Sequence, residues 1–197
     1  LKKGQKEVFI MEKTAARRIV KKEEKSGLEL KSIILIGVLL AAGAVLKFFV
    51  GSVVNFGGMK PNFIIAMYCL AIMLIKPKFH ESVIIGIIAG ITCQFFPGTP
   101  YINIASEAIG AAAMCLLIHL PLKVKKVDFR PAVCTFLATL VSGFTYLGLL
   151  YVMLYAGADV QPTALGVFAG IIFGTAIINT IIVSILYAPM KLAFKAE

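Results

Sequence analysis

The sequence predicts an all-α membrane protein, a six-transmembrane-helix bundle with both termini in the cytoplasm. Three observations carry that reading. Of 197 residues, 59% are hydrophobic and 15% charged, an apolar share above and a charged share below those of a soluble domain. The apolar residues are gathered into six long runs, the pattern of bilayer-crossing segments. The basic residues return in every second connection between those runs, as cytoplasmic loops require. One bundle fits the length: residues 1–31 read as a basic cytoplasmic tail, 32–190 as the transmembrane domain, and 191–197 as a second cytoplasmic tail.

The tail 1–31 holds half of the 20 Lys and Arg residues and reads as solvated chain. An amphipathic surface helix around Arg17, Arg18, Lys21 and Lys22 is the less favoured alternative. Run one extends from Ser32 to Val54, and Gly37, Ala41 and Ala44 share one of its faces. Runs two (Asn62–Ile75) and three (Ser82–Phe96) fall short of the ~20 residues a crossing needs. Both still read as spans, because merging them would strand Lys76, Lys78, His80 and Glu81 inside the bilayer at large cost. Run four extends from Ile102 to Leu120, run five from Pro131 to Ala156 and run six from Gln161 to Tyr187. Small residues four apart, Gly86 and Gly90 on run three and Gly166, Gly170 and Gly174 on run six, are expected to seat helix contacts within the bundle. On run one, contact within the bundle and a face offered to a partner are equally expected.

With the N-terminus inside, the inner connections hold Lys76 and Lys78, then Lys123, Lys125, Lys126 and Arg130, then Lys191 and Lys195. The outer connections hold Lys60 alone. The net charge of +10 is thus accounted for by orientation. No basic motif interleaved with aromatics points to nucleic acid. The four cysteines lie in or beside four different runs without a CxxC pair, as small core residues do. The charged N-terminus offers no short apolar stretch of signal-peptide kind. No protease, hydrolase or phosphate-loop motif occurs, and no acidic pair is placed to hold a metal, so the expectation is no enzyme, no cofactor and no metal.

Polar residues inside a membrane domain are costly, so their placement is informative. Lys47, Lys60, Asn62, Asn103, Glu107 and Tyr151 all fall toward the outer ends of their runs, whereas the inner halves hold chiefly His119 and Asn179. An aromatic belt accounts for tyrosines there, but accounts poorly for Lys47 and Glu107, each more than a turn inside a helix. The outer segments NFGGMKPNF (55–63) and FFPGTPYIN (95–103) join Gly and Pro turns to aromatics and amides. Together these features point to a ligand cavity opening outward.

The stretch from Gly58 to Asn103, with its GMKP opening, basic loop, Gly-rich helix and FPG turn, resembles the bacterial tryptophan transporter family (TrpP-like), as do Asn179 and the YAP turn at Tyr187–Pro189. That family in turn resembles the substrate-binding S components of energy-coupling factor (ECF) transporters. The resemblance implies a multi-pass protein of the bacterial cytoplasmic membrane that binds substrate near the outer face. It implies as partners a transmembrane coupling subunit, met through Gly37, Ala41 and Ala44, and ATPase subunits. For tryptophan, Lys60 would pair with the carboxylate and Glu107 with the ammonium. Phe63, Phe96 and Tyr101 would wall the indole and Asn103 bond a polar edge; Lys47, Asn62 and Tyr151 complete the expected site. A vitamin or other heteroaromatic suits the same walls, and a non-transporting membrane scaffold is the reading of a different class.

Overall fold

The computed structural model describes residues 27–53, 61–99, 101–124, 127–158 and 165–195. Lys60, most of the first outer segment and the basic stretch 1–26 lie outside the described residues. The chain divides into two compact units, Leu1–Leu30 and Lys31–Glu197, and the second is the bundle.

Among the described residues six helices follow in order: α1 (Leu30–Val53), α2 (Ile64–Ile75), α3 (Phe79–Cys93), α4 (Ile102–Leu117), α5 (Arg130–Tyr155) and α6 (Leu165–Lys195). Between α4 and α5 the backbone makes a two-residue antiparallel ribbon, β1 (Lys123–Val124) with β2 (Val127–Asp128), pairing Lys123 with Asp128. Local chemistry explains the starts of the middle helices. The Lys78 amide donates to the Glu81 carboxylate at 2.7 Å, tying down the first turn of α3. Before α5, Asp128 accepts from the Arg130 backbone amide at 3.2 Å and clamps its guanidinium at 2.8 and 2.5 Å. Pro131 then sits in the first turn of α5, where its missing N–H costs nothing. The last helix does not stop at the YAP turn: α6 continues through Pro189 to Lys195.

Among the described residues three helices are long and apolar enough to cross a membrane: Leu30–Val50, Arg130–Tyr155 and Leu165–Phe194. The other three have 12, 15 and 16 residues. At about 1.5 Å per residue they rise only about 18–24 Å, short of a ~30 Å hydrocarbon core. Burial explains how α2 tolerates its shortness. Every residue from Ile64 to Met73 is buried, and α3, α4, α5 and α6 all pack around it. A helix enclosed by protein need not match the thickness of lipid. The outer surface is apolar instead, with Ile33, Phe49, Ile91, Phe173, Ile181 and Ile185 exposed, as a lipid-facing surface requires.

From α3 to α6 successive helices run antiparallel. Gly90 lies against Ile104 and Gly86 against Ala108, joining α3 to α4. Gly110 lies against Ser142, and the Cys134 thiol meets the Leu117 carbonyl at 3.2 Å, joining α4 to α5. Phe144 stands edge-on to Phe173 and Tyr146 stacks on Phe168, joining α5 to α6. The expected small-residue contacts divide. On α3 a Cβ at Gly90 would come within 2.5 Å of the Ile104 Cα, so the glycines there set the helix spacing. On α6 a Cβ at Gly166, Gly170 or Gly174 would meet nothing within 4 Å. That stripe is not a packing seam inside the bundle, because α6 turns its Phe168, Ile172 and Ala176 side inward.

Candidate functional site

The interior holds one polar node to which all six helices or their approaches contribute. Glu107, in the second turn of α4, is 1% exposed. Its two oxygens are held separately: Asn62, just before α2, donates through its side-chain amide at 2.6 Å, and the Ser142 hydroxyl of α5 donates at 2.9 Å. Asn62 is fixed in turn by α6, where the Asn179 amide donates to its backbone carbonyl at 3.1 Å. Its side chain also reaches the Cys93 thiol at the end of α3, at 3.5 Å.

Lys47 of α1 is 7% exposed. Its ammonium lies 3.5 Å from the same Cys93 sulfur and 5.1 Å from the centroid of the Phe96 ring. A thiol is a weak acceptor and a ring face a diffuse one. The node therefore buries one cation and one anion on either side of Asn62 and Cys93. Ser142 stands at the middle of the 26-residue α5 and Asn179 at the middle of the 31-residue α6. The node thus lies near mid-length of the two longest helices, deeper than the outer ends where sequence counting puts it. The cause is the late start of α2: its first turn opens at half depth and carries Asn62 down with it.

Tyr68 of α2 closes the floor. Its hydroxyl is buried without a hydrogen-bond partner and occupies the space over Gly110, where a Cβ would come within 2.5 Å of it. Beside the node, Ile102, Leu147, Leu150, Phe168 and Ile172 form an apolar cluster against which Tyr146 and Tyr151 pack.

Of the residues expected from sequence, Lys47, Asn62, Phe96 and Glu107 are brought together in this node. Phe63 is buried at the start of α2, next in chain to Asn62. Asn103 lies at the first turn of α4 beside Gly98 of the FPG turn, and Tyr151 belongs to the neighbouring apolar cluster. Tyr101 is 76% exposed, and its backbone takes the left-handed conformation at φ 64°. Lys60 lies outside the described residues. Gly37 and Ala41 are exposed on α1, and Ala44 is half-buried. Cys93 reads in sequence only as a small core residue, and Ser142 as one hydroxyl in an apolar helix, because such hydroxyls ordinarily bond their own backbone. Asn179 carried a usable signal, an amide in the middle of an apolar run. Among the described residues no group of three metal-ligating side chains occurs.

No curated protein and no solved structure matches this chain. A family model described as the tryptophan transporter TrpP matches residues 29–195, which includes every helix and the whole node. Charged side chains buried inside an apolar-surfaced bundle are costly and mark functional sites. The chain belongs to the TrpP family of tryptophan transporters.

Proposed function

We propose that this chain is the substrate-binding membrane subunit for tryptophan uptake, crossing the bacterial cytoplasmic membrane six times with both termini inside. The observation that carries the reading is the burial of two opposite charges, Lys47 and Glu107, on different helices, with Lys47 beside Phe96. A free amino acid is a zwitterion with an apolar side chain, and tryptophan needs one anion, one cation and flat apolar walls. Glu107 takes the ammonium, a basic side chain takes the carboxylate, and Phe63, Phe96 and Tyr101 with Asn103 border the indole. Substrate enters from the face that carries the 95–103 turn.

The likeness of the family to ECF S components supports the reading that accumulation against a gradient draws on partner ATPases through a transmembrane coupling subunit. The exposed Gly37 and Ala41 on α1 supply a close-approach face for that subunit. Tryptophan binding to the purified protein in detergent tests the site: micromolar or tighter binding is expected, and no saturable binding overturns the reading. Reconstitution tests the energy source. ATP-dependent uptake is expected with the coupling subunit and ATPases present, and equal uptake by the chain alone overturns the need for them.

A further inference from the structure

Sequence reasoning gives the substrate carboxylate to Lys60. The interior geometry points to a different assignment. We infer that Lys47 and Glu107 are the two poles of an amino-acid backbone clamp, and that Asn62 is a built-in plug which occupies the clamp when no substrate is bound. This inference rests on the tryptophan reading above and names the groups that perform it.

The two buried charges differ in how far they are satisfied. Glu107 is fully engaged, accepting from Asn62 at 2.6 Å and from Ser142 at 2.9 Å. Lys47 is not. Among the described residues its ammonium meets a thiol sulfur at 3.5 Å and an aromatic face, and no oxygen. A buried ammonium has three donors and ordinarily finds oxygen acceptors, since without them the cost of taking its charge out of water is not offset. The missing partner is an anionic oxygen pair placed near Cys93, which is what a substrate carboxylate supplies. Asn62 occupies the gap between the poles. Its amide nitrogen touches both Glu107 and the Cys93 sulfur that Lys47 touches. That nitrogen stands where the substrate ammonium would donate to Glu107.

Asn62 is also the residue best placed to leave. It precedes α2 and belongs to no helix, so its side chain can swing without breaking a helical turn. Its backbone is held by Asn179 at 3.1 Å, which keeps the segment in register while the side chain moves. Substrate binding then replaces the neutral Asn62 donor at Glu107 with an ammonium and gives Lys47 a carboxylate partner, two pairings between opposite charges.

Ligands missing one pole test this. The probes are L-tryptophan, tryptamine (no carboxylate) and indole-3-propionate (no ammonium), bound to the purified full chain. Lys47→Met is expected to weaken tryptophan by roughly tenfold or more while leaving tryptamine affinity unchanged. Retained tryptamine binding also reports that the variant is folded. Glu107→Gln is expected to weaken tryptophan and spare indole-3-propionate. Asn62→Ala, which removes the plug, is expected to tighten tryptophan. If Lys47→Met leaves tryptophan binding intact, or weakens tryptophan and tryptamine equally, the clamp assignment is wrong and the tryptophan reading stands. If the unaltered chain binds none of the three probes, the tryptophan reading fails and the clamp with it.

Discussion

At the scale of single residues, the node separates polar groups that are satisfied from those that are not. Glu107 is matched on both oxygens, so removing it strands the Asn62 amide and the Ser142 hydroxyl in the interior. Glu107→Ala is expected to lower the detergent unfolding midpoint as well as abolish tryptophan binding, whereas Glu107→Gln keeps an acceptor and holds most of the stability. The hydroxyls of Thr135 and Thr139 are buried without partners. Replacing either with the isosteric valine removes an unpaired polar group, so Thr135→Val and Thr139→Val should be neutral or stabilising by up to about 1 kcal/mol in thermal unfolding. Tyr68 and Gly110 form a pair that can be read by a double mutant. Gly110→Ala drives a Cβ into the Tyr68 hydroxyl and Ser142, and overpacking of this kind costs about 1–3 kcal/mol. Tyr68→Phe removes the atom that is struck, so the double variant should recover much of the loss. No recovery would show that the clash lies with Ser142 instead.

At the scale of elements, spacing between helices is set by glycine on one side of the bundle and not on the other. A Cβ at Gly90 meets the backbone of α4, which cannot give way as a side chain can. Gly90→Ala should therefore separate α3 from α4, lower the unfolding midpoint and displace Cys93 and Phe96, weakening tryptophan binding. Gly170→Ala, on the open face of α6, should leave both measurements unchanged or raise stability slightly through helix propensity. The sequence pattern is the same at the two places, glycines four apart in an apolar helix. Only the presence of a neighbour distinguishes them. Tyr101 is the other informative element boundary. It opens α4 with a left-handed backbone that an aromatic residue rarely adopts. Tyr101→Gly removes that strain along with an exposed ring, so the folded state should gain stability of about 1 kcal/mol. If the ring walls the indole as proposed, tryptophan affinity falls at the same time.

At the scale of the whole molecule, orientation is the property most open to direct measurement. The antiparallel order of α3 through α6 puts the α2–α3 and α4–α5 connections at one end, where the Cys115 thiol meets the Pro77 carbonyl at 3.8 Å. Lys76, Lys78 and His119 are exposed there. The positive-inside rule assigns that end to the cytoplasm. A cysteine placed at the exposed Ala156, at the end of α5, should react with a membrane-impermeant thiol reagent added to intact cells. One placed at Leu120 should react only after permeabilisation. The four native cysteines are buried and should contribute little background. The reverse labelling pattern would invert the topology and move the substrate entrance to the other face.

Much of this was legible in the chain. Hydrophobic runs gave the helices because lipid-facing and core-facing residues are both apolar, and an unbroken apolar run in a bilayer satisfies its backbone as a helix. The scarcity of charge made Lys47 and Glu107 conspicuous, since each buried charge must have a reason. What sequence alone determined was therefore the class of fold, the family and the residues too costly to be accidental. Tertiary structure alone decided which of them meet. It enclosed the 12-residue α2, and through that enclosure carried Asn62 to mid-depth, where it separates the two charges. It also drew in Cys93 and Ser142, which look like ordinary core residues in sequence. The physical reason is that cost is a property of a residue in its run, whereas partnership depends on how deep each helix starts and how closely neighbours approach. Those distances are fixed by packing between segments far apart in the chain.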